Sequence, residues 1–116
     1  AMRIRAQAQL KFRELFSTVD FIVAPTRYGV APVAGDLDAP APGPARTYPK
    51  DRGMRSLIAA SNLEGLPGLT LPCGFAGKLP VAIQLVGSAF SENTLLVAGV
   101  EFQKRTDWHR RQPSLD

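Results

Sequence analysis

The sequence has 116 residues, 45% of them hydrophobic and 21% charged, which is the size and balance of one globular domain with a modest core. Its net charge of +4 comes from Lys and Arg scattered between Arg3 and Arg111 among acidic residues, with few aromatics beside them, so solvated helix faces explain it better than a nucleic-acid surface. A single cysteine rules out an internal disulfide, no apolar run nears the ~20 residues that span a bilayer, and no apolar core follows the basic N-terminus, so we expect a cytoplasmic chain with neither nucleic acid nor membrane as a partner.

Ala1 ahead of Met2 reads as a residue left by an expression tag. From Met2 to Val19, the apolar residues Ile4, Ala8, Phe12, Leu15, Phe16 and Val19 recur at spacings of three and four. That is one helical stripe, with Arg3, Arg5, Gln7, Gln9, Lys11 and Arg13 off it. "FIVAPT" follows, apolar on both faces and stopped by Pro25, which predicts a short central strand in a helix-covered sheet. Residues 27–51 have no period. Five prolines lie between Pro32 and Pro49, and the segment reads as a long Pro-rich loop.

Residues 52–63 form a weaker helical pattern, with Met54, Leu57, Ile58 and Ser61 on one side and Gly65 where a capping glycine belongs. "GLTLP" and "LPVAIQLVG" predict two strands joined through "CGFAGK". In the second, Val81, Ile83 and Leu85 share one face, and Ala82, Gln84 and Val86 the other, which suits an interior strand. Ser91 is placed to cap a last helix. Leu95, Leu96, Ala98, Gly99, Val100 and Phe102 make its buried side, and Glu92, Lys104 and Arg105 complement its dipole. Residues 107–116 read as a polar tail.

The order is helix, strand, loop, helix, strand, strand, helix: a single α/β domain over 1–116 with a partial mixed β-sheet and flanking helices. Three strands apolar on both faces need more cover than three helices give, so the sheet reads as part of a larger one. Its open edge and apolar face make self-association one expected partner mode.

The chemistry-bearing residues form no catalytic constellation. His109 is the sole histidine and sits between Trp108 and Arg110 in a charged tail, where a triad is hard to build. One His and one Cys do not make a zinc site, and the glycines match no phosphate loop, so neither metal nor cofactor is expected. Cys73 reads as a buried structural cysteine rather than a nucleophile. Gln84 reads as a buried amide that anchors a neighbouring loop, because an unpaired buried amide costs about 1–3 kcal/mol. Asn62 and Thr26 suit cap or turn roles and are also candidates to face a pocket.

The ordered set "VDFIVAPT", "SNLEGLPGLTLPCGF", "LPVAIQLVG", "FSENTLLVAGVEFQ" and "TDWHRRQP" resembles the C-terminal part of amidase signature family enzymes. The matching residues are Ala24-Pro25-Thr26, Asn62, Gly65, Pro67, Pro72-Cys73-Gly74, Leu79-Pro80, Gln84, Leu85 and Gly87. The resemblance implies amide hydrolysis by a Ser–Ser–Lys triad with a backbone oxyanion hole. In the family these parts lie in a preceding segment with a Gly-Gly-Ser-Ser-Gly-Gly-like motif. None of the six serines here (17, 56, 61, 88, 91 and 114) sits in a Gly-rich loop, so no catalytic residue carries over. The resemblance makes Gly65, Pro67, Cys73, Gln84 and Gly87 scaffold, and Thr26 and Asn62 candidates for the wall of an acyl pocket. It also makes a triad-bearing amidase segment the alternative partner.

Overall fold

The computed structural model describes residues 2–26, 30, 31 and 57–113. Most of the Pro-rich loop expected at 27–51, and the first part of the expected second helix, lie outside these residues. The described elements are helix α1 (Met2–Phe16), strand β1 (Phe21–Pro25), helix α2 (Ile58–Glu64), strands β2 (Gly68–Ala76) and β3 (Leu79–Gly87), helix α3 (Glu92–Arg105) and a 3₁₀ turn, Trp108–Arg110. This is an α/β arrangement with flanking helices, as the sequence predicts.

The strand order is β1-β3-β2. Both pairings are antiparallel, so no parallel strand of the expected mixed sheet is among the described residues. β3 is central, in line with its two apolar faces. Among the described strands β1 lies at an edge of the sheet, and its Val23 is exposed beside buried Ala24. Its apolar run matches contacts on one edge only.

β2 runs four residues further than "GLTLP" suggests. The register slips between Pro72 and Gly74, a bulge that admits a proline without loss of the ladder. Gly77 then takes φ 64° at the first position of a two-residue turn, as type II′ geometry asks, and the chain reverses into β3.

One face of the sheet carries Phe21, Leu69, Leu71, Ile83 and Leu85, and α3 covers it. The core is Leu71, Leu85 and Leu95, with Phe21, Leu69, Ile83, Ala98 and Phe102 packed around it. Gly99 lets α3 come down on this face. Leu96 and Val100 point away and are 55% and 52% exposed, which corrects the broader buried side expected for this helix; Val97 is 64% exposed. A sheet of three strands offers α3 a stripe one residue wide per turn, and Leu95 and Gly99 fill it.

Two helix ends differ from expectation. Ser91 makes no side-chain cap on α3; its hydroxyl donates instead to the Ser88 carbonyl at 2.7 Å, closing the turn before the helix. α1 stops at Phe16, where Ser17 and Thr18 turn their hydroxyls back onto the carbonyls of Glu14 and Leu15 at 2.7 and 2.8 Å. Val19 therefore lies beyond the helix and is exposed, as is Leu15.

The 3₁₀ turn after α3 packs back onto β2. Trp108 packs on Phe75 with ring centroids 6.4 Å apart, and the Arg111 guanidinium lies 4.5 Å over the indole.

Candidate functional site

A cavity of about 100 Å³ opens between α1, α2 and the turn after β3. Phe12 and Phe16 stand one helical turn apart on α1, so their rings meet at 6.1 Å with planes 23° apart and form an aromatic wall. Leu66 and Ala89 add a further apolar side, and Gln9, Arg13, Glu64 and Ser88 are the polar members.

Glu64 is the unusual one. It is the last residue of α2 and only 7% exposed. Both carboxyl oxygens are shielded from solvent, and neither has a hydrogen-bond partner. Its burial follows from the chain path. Gly65 takes a left-handed conformation, φ 69° and ψ 37°, and its N–H returns to the Ser61 carbonyl. Leu66 N–H reaches the same carbonyl at 3.0 Å, so the chain folds tightly over the end of α2. Nothing in the sequence pattern singles Glu64 out, because an acidic residue between Leu63 and Gly65 reads as a solvated helix end.

The remaining predicted residues lie elsewhere. Thr26 follows β1, half-buried, and its N–H donates to the Ala82 carbonyl at 3.1 Å. Asn62 is exposed on α2. Neither lines the cavity. Gln84 is buried at the middle of β3, facing Ala24 on one side and Thr70 on the other. Its Oε1 has no partner, and a Cβ on Gly68 would stand 3.1 Å from its Nε2, so Gly68 is the residue that makes room for the amide.

Cys73 is half-buried at the bulge, with Sγ 3.7 Å from the Val81 carbonyl. Pro67 and Gly87 are joined, since the Gly87 N–H donates to the Pro67 carbonyl at 3.1 Å. A Cβ on Gly87 would collide with the Ser91 hydroxyl. His109 is exposed.

Among the described residues, no group of three or more His, Cys, Asp or Glu could hold a metal ion. None of their helices is long and apolar enough to cross a membrane. The cavity offers shape, an aromatic surface, the Glu64 carboxyl and the Ser88 hydroxyl.

A family model described as Amidase matches residues 1–96. The A subunit of glutamyl-tRNA(Gln) amidotransferase from Roseiflexus sp. (strain RS-1) is 42% identical over 116 residues, which is 99% of this chain and 22% of that protein. The protein of the same name from Dechloromonas aromatica (strain RCB) is 42% identical over 113 residues, 97% of this chain and 22% of its own length. The one from Microcystis aeruginosa (strain NIES-843 / IAM M-2473) is 39% identical over 115 residues, with 98% and 22% covered. The chain thus spans about a fifth of the length of these relatives.

Proposed function

The chain belongs to the amidase family, and on that premise we propose that it supplies the C-terminal scaffold portion of an amidase, which hydrolyses carboxylic amide C–N bonds, and is inactive by itself. The supporting observation is a family match across residues 1–96 in a sequence whose six serines all lie outside any Gly-rich loop. A Ser–Ser–Lys mechanism needs a serine held beside its relay partner and an oxyanion hole of aimed N–H groups. Of the four described serines, Ser17 and Ser91 bond backbone carbonyls, Ser61 is buried in α2, and Ser88 lines the cavity, whose lining includes no lysine.

In this reading the sheet of β1, β3 and β2 supports a catalytic centre borne by another segment, in the cytoplasm. Thr26 and Asn62 wall its acyl pocket. Gly65, Pro67, Cys73, Gln84 and Gly87 hold the turns and strand packing that fix the support. The partner is a triad-bearing amidase segment. That the relatives are named as one subunit of an amidotransferase supports a role within an assembly. A second reading, self-association, rests on the exposed Leu96, Val97 and Val100 of α3.

Sedimentation separates the two. A monomer at micromolar concentration that binds a co-expressed triad-bearing segment supports the scaffold reading. A stable homodimer that ignores that segment supports self-association.

A further inference from the structure

We propose that the cavity between α1 and α2 is a guanidinium site, with the Glu64 carboxyl as its acceptor. This inference is independent of the amidase reading. A carboxyl buried to 7% exposure with both oxygens unpartnered is short of two hydrogen-bond donors. A guanidinium presents two parallel N–H groups in a fixed fork that meets both oxygens of one carboxylate. The wall beside Glu64 suits the same group. Phe12 and Phe16 are stacked there, and a guanidinium, planar and weakly hydrated, packs on aromatic faces better than an ammonium does. Glu64 also ends α2, where the helix dipole disfavours a negative charge and favours a cation. The site requires the Glu64 carboxyl to turn about its own side-chain torsions toward a group seated in the cavity.

Two sources can supply the group. One is Arg13, which lines the cavity from α1, is exposed, and makes none of the ion pairs found among the described residues. The other is an external guanidinium, free or on a side chain of another molecule.

The test is titration of the 116-residue chain with methylguanidinium chloride at constant ionic strength. The readout is the amide NMR shifts of Gly65 and Leu66, in wild type, Glu64→Gln and Arg13→Gln. Saturable millimolar binding to wild type, tightened in Arg13→Gln and weakened about tenfold or more in Glu64→Gln, is the expected result and assigns an external ligand. Binding to Arg13→Gln alone keeps the site and makes Arg13 its resident occupant. Absence of saturable binding to both wild type and Arg13→Gln overturns the proposal. Equal binding in Glu64→Gln overturns it as well. Arg13 is exposed, so its variant keeps the test valid if Glu64→Gln does not fold.

Discussion

Gly99 of α3 lies so close to Leu69 of β2 that a Cβ on the glycine would stand 2.7 Å from the leucine Cδ2. The next atom it would meet is Leu71 Cδ2, at 3.5 Å. This contact sets how far α3 descends onto the sheet. Gly99→Ala gains about 1 kcal/mol of helix propensity and sets it against an overpacking cost of about 1–3 kcal/mol. The expected net is a destabilisation of about 1 kcal/mol. Gly99→Val adds two further methyls with no propensity gain over Gly99→Ala and is expected to cost about 3 kcal/mol. Urea unfolding of both variants checks the order.

Gly65 and Phe90 share a left-handed φ, 69° and 65°, with opposite consequences. At Gly65 the residue type fits the conformation, nothing lies within 4 Å of an added methyl, and the cost of Gly65→Ala is purely conformational, about 1 kcal/mol. Phe90 is 96% exposed, so its side chain contributes no packing to offset the strain. Phe90→Asn, with a side chain that tolerates this region, is expected to stabilise the chain by about 0.5–1 kcal/mol. Thermal melts of the two variants, moving in opposite directions, check this.

Asp107 sits under the Arg111 side chain, which donates to its Oδ2 from Nε at 3.0 Å and forms an ion pair with it through Nη2 at 2.9 Å. The hydrogen bond from Arg111, aided by its charge, holds the Asp107 carboxyl below the ordinary value of 3.8. A folded value lower than the unfolded one means the pair's stabilisation is fully present above the unfolded value. It fades as pH falls through the folded one. Both side chains are exposed, so the effect is small. Trp108, the sole tryptophan, lies beneath the same guanidinium and reports it. Acid titration of its fluorescence is expected to show a transition below pH 3.8 that Asp107→Asn abolishes.

Much of this fold was legible in the sequence, because period and punctuation are local. The stripe through Ala8, Phe12 and Phe16 marked α1, and the alternation from Val81 to Val86 marked the central strand. Gly65 marked the end of α2. The misread features depend on neighbours far along the chain. Val100 and Leu96 look as core-like as Leu95 until the width of the sheet is known. "FIVAP" looks central, and among the described strands it pairs with β3 alone. Pro72 looks like a strand end until the bulge absorbs it. The cavity was not legible at all, since burial of Glu64 follows from the tight turn at Gly65 and Leu66 and from the approach of α1, which no motif encodes.

In the proposed function, these residues support amide hydrolysis without performing it. The direct measurement is ammonia release from simple carboxylic amides by the purified 116-residue chain, against a heat-inactivated control, and again after co-expression with a triad-bearing amidase segment. The expected result is no release above the control from the chain alone, and hydrolysis in the co-expressed complex. Hydrolysis by the chain alone would contradict it.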